Sequence, residues 1–182
     1  MIIDLVGFAG VGKLTIGRAL TERLGGRLLD VHSVFNIAFA LTEPRSEAFR
    51  EAVRSVRDVA YGIAAAIPPS VPIVLTTTPG RDRAFGEEGI AAIADLARKR
   101  GSEVLVVNLL CDIEENRRRI ITPGRLGSRK PIDPIMLDDN PHRLVLLDHA
   151  NHLLTLDVTH EAPEGAVDKI IHWMGSIHSD RN

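Results

Sequence analysis

Nine consecutive residues near the start of the chain, Gly7-Phe8-Ala9-Gly10-Val11-Gly12-Lys13-Leu14-Thr15, bring together three glycines, a lysine and a hydroxyl at a spacing suited to phosphate. Glycines lack the Cβ atoms that would keep successive backbone N–H groups from converging on one anion. A helix starting at the end of the run adds its partial positive charge, and Lys13 can reach the β- and γ-phosphates of a nucleotide. On this reading Gly7, Ala9, Gly10, Val11, Gly12, Lys13, Leu14 and Thr15 contact the nucleotide. The general pattern G-x-x-x-x-G-K-[ST] places a hydroxyl directly after the lysine to hold Mg²⁺, but here that place is Leu14 and the hydroxyl follows at Thr15. The metal therefore lacks its usual protein ligand.

Such a loop works only between a strand and a helix, and the flanking residues supply both. Ile2, Ile3, Leu5 and Val6 make a short apolar run of the buried-strand type, and Ile16, Ala19, Leu20 and Leu24 recur at helical spacing within 13–24. Gly25-Gly26 stops that helix, and a second strand is expected over 27–31. Further strands are expected over 71–76, 104–110 and 153–157, and further helices over 47–67, 87–100 and from Pro163-Glu164 onward. Asp112 caps one more helix, with Glu115 completing a capping box. Between about 117 and 140 the periodicity fails and Pro, Gly and basic residues take over, which is the pattern of a lid. The alternation predicts an α/β fold, a five-stranded parallel sheet with helices on both faces, in one domain over 1–182.

In open parallel sheets the ligand sits beyond the carboxyl ends of the strands. Asp30 and His32 follow the second strand. A carboxylate beside the γ-phosphate accepts a proton from a substrate hydroxyl, and His32 orients the substrate or shares that role; the alternative is that Asp30 only caps the turn after it. Thr76, Thr77 and Thr78 close the third strand, where their hydroxyls either bond a small polar substrate or serve as ordinary strand formers. Arg50, Arg54 and Arg57 share one helix face, with Asp58 spaced to pair with Arg54. They form either a fork for a substrate carboxylate or phosphate, or a solvated surface. Arg117, Arg118, Arg119, Arg125, Arg129 and Lys130 place fixed cations in the lid, where they neutralise charge on a transferred phosphoryl group once the loop has closed.

Composition narrows the field. Hydrophobic residues make up 45% of the 182, yet only 4% are aromatic, so aliphatic packing carries the core and few rings are left to stack on single-stranded nucleic acid. A net charge of −2 gives no global attraction to nucleic acid or an anionic membrane. The single cysteine, Cys111, excludes an internal disulfide, and with no basic leader or long apolar span a cytoplasmic location is expected. His149 and His152 alone stand near ligand spacing, without a cysteine or acidic cluster, so no protein-held metal is expected. Neither a G-x-S-x-G elbow nor a dinucleotide fingerprint nor a guanine-reading Asn-Lys-x-Asp motif occurs.

The form G-x-x-G-x-G-K-x-T resembles the loop of adenylate kinase and its relatives, in which Mg²⁺ is held largely by phosphates and water. Most of the chain resembles the small P-loop kinases of the nucleoside-monophosphate-kinase group, and within it the shikimate and gluconate kinase-like members. The resemblance rests on Gly7 to Thr15, Asp30 after the second strand, Cys111-Asp112-Ile113-Glu114-Glu115-Asn116-Arg117-Arg118 opening a lid, and Leu156-Asp157-Val158-Thr159 before Pro163-Glu164. It implies ATP and Mg²⁺, with Asp30 touching the phosphoryl acceptor and Arg117 or Arg118 over adenine. It also implies Arg125 or Arg129 on the phosphates and Thr159 beside the base. Glu47-Ala48-Phe49-Arg50-Glu51 resembles the Phe-Arg element with which shikimate kinases hold a carboxylate, but their glycine triplet is replaced here by Thr77-Thr78-Pro79-Gly80. Chloramphenicol phosphotransferase-like proteins share the loop and the acid. The expected function is ATP-dependent transfer of the γ-phosphoryl group to a hydroxyl of a small polar metabolite; the alternative is a protein that keeps ATP as a structural or regulatory ligand.

Overall fold

A computed structural model describes residues 1–121 and 133–179. In chain order the elements are β1 (Ile2–Val6), α1 (Lys13–Leu24), β2 (Arg27–Leu29), α2 (Val31–Leu41), α3 (Glu47–Ala66), β3 (Ile73–Thr77), α4 (Arg83–Arg100), β4 (Val104–Leu110), α5 (Ile113–Ile120), a 3₁₀ helix (Pro134–His142), β5 (His152–Asp157) and α6 (Pro163–Ser179). The five strands form one all-parallel sheet in the order β2-β3-β1-β4-β5. From β1 the chain moves to one side of the sheet to make β2 and β3, then returns past β1 to make β4 and β5. That reversal opens a crevice at the carboxyl end of β1, where the glycine loop leaves the sheet.

Side-chain alternation along β1 divides the core. Ile3 and Leu5 face α1 and α6 with Leu20, Val107 and Ile170, whereas Ile2 and Val6 face the other layer with Ile73, Leu96 and Val106. Each such fully buried aliphatic side chain stabilises the fold by about 1.5–3 kcal/mol. A smaller cluster of Val34, Ala38, Phe49 and Val53 joins α2 to α3 beside the site. On the second layer, Arg100 is buried at the end of α4 and donates to the carbonyls of Ala64, Ile67, Pro68 and Val71, so one guanidinium closes the C-terminal end of α3 and the turn after it. No helix among the described residues is long and apolar enough to cross a membrane.

Several expectations need correction. Residues 31–41, where no helix is expected from periodicity, form α2, because Val34 and Ala38 bury against Phe49 and Val53 of α3; β2 accordingly ends at Leu29. Helix α4 starts earlier, at Arg83, since the Asp82 side chain accepts from the Phe85 amide and caps it. The capping box of α5 does not close: Asp112 accepts from the Glu114 and Glu115 amides, but Glu115 turns to Arg118 and Arg119. Regular structure also reaches into the expected lid, with Arg117 to Ile120 in α5 and Pro134–His142 in the 3₁₀ helix.

Candidate functional site

At the phosphate loop the chain takes backbone angles that only glycine adopts cheaply. Gly10 and Gly12 have φ of 92° and 104°, and a Cβ on Gly10 would collide with the Asn116 side chain from α5. The result is a concave turn of amides. Among the described residues, those of Ala9, Gly10, Val11 and Gly12 have no hydrogen-bond acceptor, and Gly12 stands at the N-cap of α1. Lys13 folds back over the loop and donates to the carbonyls of Gly7 (2.5 Å) and Phe8 (2.8 Å). Its ammonium is thereby held where an anion cradled by the amides would meet it. Ala9 through Thr15 line a cavity of about 1590 Å³.

The same cavity reaches the end of β2. Asp30 lies on its wall at the N-cap position of α2, yet its side chain does not cap that helix. Instead Thr76 Oγ1 donates to Asp30 Oδ1 (2.7 Å) while accepting from the Val31 amide (2.8 Å). One carboxylate oxygen is fixed by the neighbouring strand, and the other has no partner among the described residues. His32, in the first turn of α2, and Thr77 also line the cavity. Thr77 Oγ1 is engaged: it donates to Asp4 Oδ1 (2.7 Å), whose other oxygen meets His149 Nε2 (2.9 Å). Asp4 and His149 are buried, and Tyr61 beside Asp4 has its phenol pushed up by burial and by the Asp4 charge.

The arginines divide sharply. Arg50 lines the cavity and pairs with Asp82 (2.9 Å) and Glu47 (3.3 Å). Arg54 does not line it, nor does it pair with Asp58; it joins Glu47 (2.9 Å) and Glu88 (3.0 Å). Arg57 takes the cavity position instead and meets Glu88 at 2.6 Å. Acids on α3 and α4 thus answer the expected fork. Burial tends to push the Glu88 carboxyl up, but Arg57 and Arg54 hold it below its ordinary value.

A rim that sequence reasoning missed comes from the loops after α2 and β3 and from the end of the 3₁₀ helix. Arg81 and Arg143 share Asp139, the Leu144 amide bonds Gly80 O, and Arg45 joins them on the cavity wall with a left-handed φ of 69°. Burial, and then repulsion from Arg45 and Arg81, lowers the basicity of Arg143.

On the far side of the loop, a cavity of about 470 Å³ is lined by Asp112, Glu115, Arg118, Asp157, Thr159, His160 and Glu161. Arg118 and Thr159, expected near the base, therefore meet here. Arg117 lines neither cavity, because Glu114 and Asp138 hold it; Arg119 lines the large cavity and donates to Val158 O and Thr159 O. Successive helical residues point about 100° apart, which the sequence alone does not orient. Arg125, Arg129 and Lys130 lie outside the described residues. No group of three or more His, Cys, Asp or Glu among the described residues could hold a metal ion.

The protein has the fold of the small P-loop kinases of the shikimate and gluconate kinase type. A gluconokinase from Sinorhizobium meliloti 1021 matches with a TM-score of 0.63 at 14% identity, over 99% of this chain and 97% of that one. Shikimate kinase from Acinetobacter baumannii, in complex with shikimate, matches with 0.59 at 22% identity over 96% and 93%. Kti12 from Chaetomium thermophilum, in complex with ADP-AlF3, matches with 0.58 at 14% identity over 94% and 98%. No protein-family model and no curated protein sequence matches the chain.

Proposed function

We propose that this protein is an ATP-dependent kinase that phosphorylates a hydroxyl of a small metabolite. One observation carries the reading: a single cavity joins Lys13 and a cradle of amides to a carboxylate, the amides and one carboxylate oxygen having no partner among the described residues. The cradle and Lys13 hold the triphosphate, Thr15 supports its α/β region, and Arg118 and Thr159 border the base. The acceptor oxygen attacks the γ-phosphorus while the bond from that phosphorus to the β,γ-bridging oxygen breaks. ADP leaves with the bridging oxygen, and the acceptor's proton passes to Asp30 Oδ2 and on to solvent. His32 and Thr77 border the acceptor.

The donor set suits Mg²⁺ carried in with the nucleotide, since Leu14 offers no oxygen directly after Lys13 and the oxygens of Thr15, Asp30, Thr76, Thr77 and Thr78 on the cavity wall would reach its water shell. When bound, Mg²⁺ supplies charge neutralisation across the phosphates. Segment 117–140 acts as the lid, with Arg125 and Arg129 stabilising the transferred charge. Titration calorimetry with ATP and Mg²⁺, followed by an ADP-release screen of hydroxyl metabolites, tests the proposal. Binding followed by acceptor-dependent ADP release is expected; tight binding with no release for any acceptor would mean that ATP is a structural or regulatory ligand.

A further inference from the structure

The chain has only five phenylalanines and one tyrosine, yet four of those phenylalanines and the tyrosine line the cavity of about 1590 Å³. They come from three helices: Phe35 and Phe39 from α2, Phe49 and Tyr61 from α3, and Phe85 from α4. Phe35, Phe39 and Phe49 pack as tilted rings with centroids 5.0–6.0 Å apart. Core formation accounts for Phe49, which is 6% exposed, and for the buried part of Phe35 and Phe85, which pack against the same cluster, but not for Phe39, which is 42% exposed. Ring surface left open on the wall of a cavity is stabilised only when something apolar covers it. The α3 arginines on the cavity wall, Arg50 and Arg57, already carry Asp82 and Glu88, and Arg54, 6.0 Å over the Phe85 ring, carries Glu47 and Glu88. The part of the wall around these rings therefore presents apolar surface, while the cations of Arg45, Arg81 and Arg143 stand at the rim.

We propose that the acceptor carries an aromatic or similarly flat apolar body, which lies against Phe35, Phe39 and Phe85 while its hydroxyl reaches Asp30. This rests on the kinase reading above for the reaction, but the aromatic seat stands or falls by binding alone. The test uses the whole protein with phenylpropanediol and naphthylethanol as aromatic probes, against gluconate and shikimate as polyhydroxy acids. Ligand-observed NMR reads binding, and ADP release with ATP and Mg²⁺ reads transfer. The aromatic alcohols should bind and be phosphorylated in preference to the acids. Phe39→Ala should raise their Kd or KM about tenfold, more than it lowers kcat, with Phe39→Trp restoring binding. If they bind through Phe39 but no acceptor releases ADP, the seat survives and the kinase reading fails. The proposal is overturned if they do not bind, if the acids are preferred, or if Phe39→Ala changes only the oligomeric state.

Discussion

The two ends of the large cavity are built by different means. At the end proposed to hold phosphate the polar groups are the backbone amides of Ala9 to Gly12 with one lysine, all from one stretch of chain running from β1 into α1. At the end proposed to hold the acceptor they are side chains, drawn from the ends of β2 and β3, from α2, α3 and α4, and from the loops around Arg45 and Arg81. A backbone cradle depends on local φ and ψ, and it tolerates change in any side chain that does not enter it. A side-chain wall depends on how several helices pack, so several of its members are fixed by partners far away in the sequence, as Arg50 is by Asp82 and Asp30 by Thr76.

If this contrast is right, changes at the two ends separate into chemistry and binding. Asp30→Asn keeps the size of the side chain but cannot take the proton, so turnover should fall by about 10²–10⁴ while the Kd for ATP stays put. Steady-state rates beside calorimetric titration read both quantities. Lys13→Ala should do the reverse at the other end, weakening ATP about 10- to 100-fold through loss of a charge-assisted hydrogen bond, with the fold retained by circular dichroism. Thr76→Val removes the hydroxyl that fixes Asp30 Oδ1 and should lower kcat by about tenfold, with Thr76→Ser restoring most of it. Equal loss of ATP affinity in the Thr76 variant would erase the division between the ends.

The smallest effect tests the side-chain network through pH. Although burial pushes Glu88 up, Arg57 and Arg54 hold its carboxyl below the ordinary 4.5. A carboxyl depressed in the folded state contributes stability that is present above its unfolded value and is lost as pH falls through the folded one. Glu88→Gln should therefore lower Tm at neutral pH, and the gap to the wild type should close as the pH drops below about 4.5. A constant gap across that range would show that Glu88 acts through packing alone.

The contrast also explains what could be read without a structure. The boundaries of α1 at 13–24 and β4 at 104–110 agree with the pattern of apolar residues, and the nine-residue loop is visible because its geometry is written in adjacent glycines. Helix α2 is not visible, since its β-branched and aromatic residues carry weak helical propensity and it is held by α3. Nor does sequence reveal that four dispersed phenylalanines converge, or that Asp4, within an apolar strand, finds its partner 145 residues later at His149. The arginine fork misleads for the same reason: Glu88 and Asp82, which answer it, lie on and beside another helix.

The central claim is that phosphate bound at the loop is handed to a hydroxyl held at Asp30. Supplying the wild-type protein with ATP labelled at the γ-phosphate, Mg²⁺ and a pool of small hydroxyl compounds tests it most directly. The account predicts that label moves into a phosphate ester with the wild type, and that Asp30→Asn binds ATP equally well but forms the ester at least about 100-fold more slowly. An ester formed equally fast by both proteins, or label released only as inorganic phosphate whatever hydroxyl is offered, would contradict it.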